Sequence, residues 1–158
     1  MNLCNLSERN RAMADQFVIP YEVDPGEPAV PEGDAREWSR PLFSVEHVGQ
    51  TLIVMPTIRG NMFRYAQLQT QANALRRQLS QDSFGHLVLD LQALDYLGSE
   101  VIGAVVALAR KMEDGGGRVV LCCAAPQLSE ALTKMGLHRL WTFFPTREAA
   151  LAAVQSHN

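Results

Sequence analysis

The stretch His86–Gly103, HLVLDLQALDYLGSEVIG, indicates how this chain folds. It opens with a short apolar run in which Asp90 is the only charged residue, the pattern of a central strand covered on both faces. Gly98 then supplies backbone freedom, and we expect the Ser99 hydroxyl to cap a helix by accepting hydrogen bonds from its first free N–H groups. Apolar residues recur after it at helical spacing, at Val101, Ile102, Val105, Leu108, Ala109 and Met112. The sequence predicts a buried strand, a tight turn and a helix that presents one serine at its start.

The segments before this stretch predict a hairpin and a helix. Residues 42–55 have the pattern of two strands around the turn Val48–Gln50. Gly60 and Asn61 then open a helix whose apolar residues form one stripe and whose polar residues are expected to face water. The stripe is Met62, Tyr65, Leu68, Ala72, Leu75 and Leu79, and the polar positions are Arg64, Gln67, Gln71 and Arg77.

The segments after it continue the alternation of helix and strand. The expected elements are a helix over 99–114, a strand over 118–123, a helix from Pro126 that ends at Gly136 in the left-handed cap position, a short strand over 141–144 and a last helix capped by Thr146. Strands separated by helices pair mainly in parallel, whereas a hairpin is antiparallel. The sequence therefore predicts an α/β fold, with a mixed β-sheet, an N-terminal β-hairpin and about four α-helices packed on the sheet.

Residues 89–140 resemble the core of a STAS domain, the module shared by bacterial anti-sigma factor antagonists and the cytoplasmic tails of sulfate transporters. With the weaker segments before it, the resemblance covers about residues 42–155. The features that carry it are the strand ending in Asp90, the turn with Ser99 and Gly103, the Gly115–Gly117 turn before a strand, and the Met135, Gly136, Leu137 helix ending.

The resemblance implies a specific functional turn. In anti-sigma factor antagonists this turn usually reads Asp-Ser-Ser-Gly-Leu-Gly, and a partner kinase phosphorylates the first serine. Here that serine is Ser99 and the closing glycine is Gly103. Gly98 holds the aspartate position, and Glu100 follows the serine. The resemblance thus implies a non-enzymatic protein-binding switch, an anti-sigma factor antagonist whose partner is an anti-sigma factor serine kinase that uses ATP. The residues expected to bind this partner are Gly98, Ser99, Glu100, Val101 and Gly103, with Asp90 and Asp95 shaping the pocket beside Ser99.

Two other functions fit the same turn. A constitutive STAS subunit of a stress-sensing assembly or a membrane transport complex would need no phosphate. Strand, turn, serine and helix is also the layout of a serine hydrolase, but that turn needs glycine two residues before and after the serine, where this chain has Leu97 and Val101. His138 is the only histidine that follows Ser99 within the folded half, so we expect no catalytic triad and no enzyme.

Composition separates the first 40 residues from the rest. The chain has 158 residues, 47% of them hydrophobic, enough for one ordinary domain and an appendage. Residues 1–40 contain four prolines and carry a net charge of −4 from eight acidic residues and four arginines. We therefore expect an acidic, partly mobile arm over 1–40, which packs across the sheet edge or mediates self-association, and a STAS-like domain over 41–158. Other STAS proteins are further candidate partners.

Charge and hydropathy exclude two classes of partner. The net charge is −3 and no run of lysine and arginine appears, so we expect no binding to nucleic acid. No apolar stretch approaches the roughly 20 residues of a membrane helix, so we expect no direct membrane insertion. The start MNLCNLSERNR lacks an export signal, which favours the cytoplasm.

The thiols and imidazoles predict no metal site and no cofactor. Cys4, Cys122 and Cys123 form no even disulfide framework, and adjacent cysteines in a strand point to opposite faces of the sheet, so reduced thiols are expected. The four histidines lie apart from one another and from the cysteines, without the spacing of zinc ligands.

Overall fold

The computed structural model describes residues 40–59, 65–81, 83–95 and 98–156. The predicted arm therefore lies outside the described residues, apart from Arg40. The strands are β1 Phe43–Val48, β2 Thr51–Pro56, β3 His86–Asp90, β4 Arg118–Cys122 and β5 Thr142–Phe144. The α-helices are α1 Tyr65–Gln81, α2 Ser99–Asp114, α3 Pro126–Lys134 and α4 Arg147–Gln155, and a 3₁₀ turn spans Leu137–Arg139.

The strands form one sheet in chain order, β1-β2-β3-β4-β5. β1 and β2 are an antiparallel hairpin in which Val45 lies opposite Val54, and the other neighbouring strands pair in parallel. Gly49 turns the hairpin with a φ of +58°, a conformation that glycine adopts without steric cost. The predicted mixed sheet with an N-terminal hairpin and four helices is confirmed.

Alternate residues of the strands bury against helices on opposite faces of the sheet. One face carries Phe43, Val45, Leu52, Val54, Leu87, Leu89, Val119 and Leu121, which share a core with apolar residues of α1, α2 and α3. The other face carries Ile53, Val88, Val120 and Cys122, which pack with Ala150 and Val154 of α4. Because β3 is central and apolar on both faces, its carboxyl end is a fixed point for the connection to α2.

The predicted solvent face of α1 is wrong at two positions. Gln67 and Gln71 are 2% and 4% exposed. The Gln71 side chain accepts a 2.7 Å hydrogen bond from the Leu42 N–H, and the Gln67 amide donates to the Arg40 carbonyl oxygen at 2.9 Å. These amides are buried because they satisfy backbone groups of the chain entering β1, which would otherwise stay unpaired. Tyr65, predicted in the apolar stripe, is 60% exposed. The predicted helix start at Gly60 and Asn61 lies outside the described residues.

Two predicted helix signals are confirmed in the second half of the chain. Gly136 follows α3 with a φ of +79°, the left-handed conformation that ends many helices. The Thr146 hydroxyl accepts a hydrogen bond from the Ala149 N–H at 3.2 Å and caps α4. This cap fixes the start of α4, and with it the position of Arg147.

Candidate functional site

Ser99 is the first residue of α2, after the carboxyl end of the central strand. It is exposed, as is Glu100 in the first turn of the helix. The predicted capping role of Ser99 is wrong. Gly98 holds the N-cap position without a side-chain cap, and its carbonyl oxygen accepts the first helical hydrogen bond, from the Ile102 N–H at 3.0 Å. The helix begins one residue earlier than it would if Ser99 were its N-cap. The Ser99 hydroxyl therefore does not cap the helix.

The backbone does not require glycine at position 98. Gly98 has a φ of −75° and a ψ of 158°, extended angles that any residue adopts. The expected need for glycine freedom here is therefore wrong. The absence of the aspartate that usually precedes the serine is a change of side chain and not a consequence of the turn geometry.

The outer face of α2 beside Ser99 is thin. Gly103 is exposed, and a side chain built on it would meet no atom within 4 Å. We define the Ser99 surface as Gly98, Ser99, Glu100 and Gly103. Val101 is 0% exposed and packs in the core, so the surface that a partner could touch does not include its side chain. A chain of another protein could approach the α2 backbone closely at this surface.

Asp90 ends β3 fully buried and points to the α4 face. One carboxylate oxygen, Oδ1, accepts a 3.0 Å hydrogen bond from the Gln92 N–H, which fixes the turn after the strand. The other, Oδ2, accepts bonds of 2.8 Å from Nε and Nη2 of Arg147. Asp90 thus ends its strand by binding a backbone amide of the turn that follows. Asp90 and Ser99 lie at the same end of β3, but the Asp90 side chain faces α4 while Ser99 begins a helix on the opposite face. Asp95 lies in the connection between them and is exposed.

Arg147 joins strands on either side of β2. Its Nη1 donates to Glu46 Oε2 of β1 at 2.9 Å, while its other nitrogens hold Asp90 of β3. Partial burial alone would lower the pKa of Arg147, but the hydrogen bonds and charges of Asp90 and Glu46 outweigh burial and raise it. This residue was not among those singled out from the sequence, because its partners lie 57 and 101 positions away and no local pattern connects them.

Comparison with known proteins identifies the domain. The STAS domain family model matches residues 44–150. The chain belongs to the STAS domain family. BtrV of Bordetella bronchiseptica, named as an anti-sigma factor antagonist, is 33% identical over 70 residues, covering 44% of this chain and 60% of BtrV. This STAS domain chain thus spans less than two thirds of the length of that curated relative.

Solved structures share the fold of this STAS domain. An anti-sigma-factor antagonist (STAS) domain protein of Planctomyces limnophilus has a TM-score of 0.60 at 21% identity, covering 72% of this chain and 97% of that one. The anti-sigma factor antagonist SpoIIAA in its unphosphorylated form has a TM-score of 0.60 at 20% identity, covering 73% and 98%. Its phosphorylated form, from Bacillus, gives 0.56 at 19%, covering 71% and 98%. The fold is therefore that of anti-sigma factor antagonists.

The strand pattern predicts that the two adjacent cysteines of the STAS domain point to opposite faces of the sheet, but in the structure they do not. β4 ends at Cys122, and Cys123 has a φ of +60°, so the alternation of side chains stops there. Both sulfur atoms lie within 4.8 Å of each other and of an Asp90 carboxylate oxygen. Burial, then the Asp90 charge, raises the pKa of the Cys122 thiol strongly, and contacts with Cys123 add to this effect. Sequence reasoning missed this cluster because a left-handed cysteine leaves no periodic signal.

Within residues 40–59, 65–81, 83–95 and 98–156, no helix combines the length and the apolar character needed to cross a bilayer.

Proposed function

We propose that this STAS domain is an anti-sigma factor antagonist that binds an anti-sigma factor serine kinase through the Ser99 surface, and that phosphorylation of Ser99 ends the binding. The observation that carries the proposal is an exposed serine at the first position of α2, one helical turn from a glycine that leaves open space. The domain performs no chemistry in this mechanism. The kinase and its ATP supply the phosphoryl group, and the Ser99 oxygen accepts it.

The fold can accept a phosphoryl group at this position at little cost. The first N–H groups of a helix have no carbonyl partner within the helix, and the helix dipole places partial positive charge at this end. Negative charge added to the Ser99 oxygen is therefore stabilised by the start of α2. Since the hydroxyl does not cap the helix, its esterification removes no capping bond.

The same group changes the Ser99 surface for a partner. Phosphorylation adds about −1.5 to −2 charges and three acceptor oxygens. Glu100 already places a carboxylate beside Ser99, either as a partial mimic of the modified state or simply as a favourable residue for the helix start. A partner face packed flat against Gly103 would have to bury the added charge or be displaced, and the result is loss of binding. The two solved states of SpoIIAA support a modification cycle in proteins of this fold.

Two of the described histidines, His86 and His138, are placed away from Ser99. The Nδ1 atom of His138 lies 3.1 Å from the Thr133 carbonyl oxygen. His86 begins β3, whereas Ser99 follows the opposite end of that strand. Among the described residues, therefore, neither of these imidazoles is bonded to Ser99 as a general base would be.

The test is phosphorylation and binding by defined kinases. Each anti-sigma factor serine kinase of the source organism is incubated with the purified protein and ATP, and phosphate is located by tandem mass spectrometry. We expect phosphate on Ser99 and none in the Ser99→Ala variant. The matched control is Ser80→Ala, which removes another exposed helical serine whose hydroxyl bonds the Arg76 carbonyl oxygen at 3.0 Å. Incorporation in this control should equal that of the wild type.

Binding of the same kinase is then measured by calorimetry with Ser99→Asp, after circular dichroism has established that the variant is folded. We expect the aspartate to abolish binding. Undiminished binding, or phosphate only on other residues, would reject the proposal. Constitutive assembly as a STAS subunit predicts the opposite pattern, with stable complexes that neither ATP nor Ser99→Asp disturbs.

A further inference from the structure

A second cluster of reactive side chains lies on the α4 face, away from the Ser99 surface. It comprises Cys122, Cys123 and Asp90, whose sulfur and carboxylate oxygen atoms all lie within 4.8 Å of one another. Cys122 and Asp90 are fully buried and are register partners on adjacent strands. Cys123 is half-buried. The cluster therefore has an inner side formed by the sheet and an outer side formed by Cys123.

The backbone at Cys123 brings the second thiol into this cluster. Among the described residues, Cys123 is the only residue other than glycine with a positive φ, +60°. This conformation is costly for a residue with a side chain, and such strain persists where the surroundings impose it, often at functional sites. An extended Cys123 would have placed its sulfur on the other face of the sheet. The left-handed turn instead places both thiols beside one carboxylate.

We propose that this cluster is a binding site for a zinc-type divalent metal ion, with Cys122 Sγ, Cys123 Sγ and an Asp90 carboxylate oxygen as ligands. Thiolate and carboxylate are ligands that zinc accepts, with bond lengths of about 2.3 Å to sulfur and about 2.0–2.2 Å to oxygen. Two such zinc–sulfur bonds at a tetrahedral angle span roughly 3.8 Å between the sulfurs. That span falls within the limit of 4.8 Å that the three ligand atoms already satisfy. Binding displaces one proton from each thiol to solvent, and the two thiolates balance the charge of the ion.

A direct disulfide between the two cysteines fits the geometry less well. Adjacent Cα atoms are about 3.8 Å apart across a trans peptide, whereas disulfides usually join Cα atoms at least about 4.4 Å apart. Both cysteines are free in the structure. An ion that bridges the sulfurs through two longer bonds avoids this constraint.

Asp90 can ligate an ion without releasing Arg147. A carboxylate offers about four acceptor positions. Oδ2 receives the two contacts from Arg147, and among the described residues Oδ1 receives one bond, from the Gln92 N–H. One acceptor position on Oδ1 thus stays available for an ion. The guanidinium would keep the Asp90 side chain oriented, as the hydrogen-bonding neighbours of ligating carboxylates do in metal sites.

The site is open to solvent on its outer side. A pocket of about 690 Å³ is lined by Cys123 together with Gln92, Ala124, Pro145, Thr146, Arg147 and Glu148. This pocket gives an ion a route to the cluster and gives water access to the fourth coordination position. The donor set is therefore that of a three-ligand zinc site with one exchangeable position.

The test uses cobalt(II) as a spectroscopic probe for zinc. The third cysteine, Cys4, is removed first, and full-length Cys4→Ser protein is titrated with cobalt(II) under reducing conditions. We expect a thiolate-to-cobalt charge-transfer band that saturates at one equivalent and that zinc abolishes. The Cys123→Ser change, at a half-buried position where the fold should be retained, is expected to remove the band. Asp90→Asn is expected to weaken cobalt affinity at least tenfold.

The matched control is Ser99→Asp in the same background, because the Ser99 surface lies on the other side of the sheet. Its cobalt affinity should equal that of the parent. The experiment therefore distinguishes failure of the proposed phosphorylation switch from failure of the proposed metal site. No band in Cys4→Ser protein would overturn the proposal. So would a band that persists at full strength in folded Cys123→Ser, or an Asp90→Asn affinity equal to that of the parent.

Discussion

Replacement of Gly103 by alanine should stabilise the domain and weaken binding of its partner. Gly103 is the fifth residue of the 16-residue helix α2. Glycine inside a helix costs about 1 kcal/mol relative to alanine, because it loses more backbone entropy on folding. A Cβ at Gly103 would meet no atom within 4 Å, so no steric penalty within the chain reduces this gain. The glycine therefore lowers the stability of the isolated domain without serving its packing.

Urea and thermal denaturation measure the stability change. An increase of about 1 kcal/mol in the free energy of unfolding should raise the thermal midpoint by roughly 3–6 °C for a domain of this size. The control is Gly117→Ala, where a Cβ would lie 3.0 Å from the Gly85 carbonyl oxygen and collide with the Met112 side chain. That variant should be destabilised. An unchanged or lower midpoint for Gly103→Ala would refute the inference that the space beside Gly103 is open.

Calorimetry with the partner kinase measures the effect on binding. If the partner packs closely against the α2 backbone, a methyl group at Gly103 acts as overpacking does in a protein core and costs about 1–3 kcal/mol. This corresponds to a dissociation constant raised roughly 5- to 150-fold. Opposite signs for stability and binding would show that the glycine serves recognition. An unchanged dissociation constant would mean that no partner atom lies over Gly103, and the proposed contact surface would have to exclude it.

Three further predictions concern charge. Arg147→Met should lower the free energy of unfolding by about 3–5 kcal/mol in chemical denaturation, because it leaves Asp90 charged and buried. Glu46→Gln, at a side chain 40% exposed, should lower it by under about 1 kcal/mol. Equal losses for the two variants would contradict this prediction. Gly98→Asp should fold normally and speed phosphorylation of the motif serine in a kinase assay, and a slower rate would count against the assigned motif. Burial, with a smaller effect from a neighbouring arginine, lowers the pKa of His86 below 6.5, so the unfolded state takes up the proton first and stability falls as pH drops through about 6.5. His86→Asn should flatten this decline when the free energy of unfolding is measured against pH. An unchanged slope would show that His86 does not cause the decline.

Local patterns in the sequence predict the elements that position the Ser99 surface. The apolar run of β3, the helical spacing after Ser99 and the glycine at position 136 each depend on neighbours within a few residues, and the structure has all three features. The start of α2 differs by one residue, because helix ends depend on which carbonyl accepts the first bond and this choice leaves little trace in composition. The serine preference for N-caps was outweighed by a glycine in an extended conformation.

The features that sequence reasoning missed depend on distant partners. The amide side chains of Gln67 and Gln71 are polar and so were expected in solvent, but each bonds a backbone group about 30 residues earlier in the chain. Arg147 likewise finds its carboxylates on β1 and β3. A periodic pattern reports how polar a position is and does not report which buried group it satisfies. Cys123 was missed for a different reason, since one left-handed residue reverses the side-chain direction without any change in hydropathy.

The one-residue difference at the start of α2 strengthens the proposal for Ser99. If Ser99 were the N-cap, its hydroxyl would contribute about 1 kcal/mol to the stability of the fold, and any modification of the hydroxyl would disturb the helix as well as the surface. Gly98 holds that position instead, so in the proposed mechanism a phosphate at Ser99 would act mainly on binding and little on the stability of the fold. Each 1.4 kcal/mol of charge repulsion or desolvation cost in the complex changes the dissociation constant tenfold. A few kcal/mol added to the free energy of binding is therefore enough to separate the bound and free states. A hydroxyl that does not cap the helix is therefore well suited to the reversible switch that we propose.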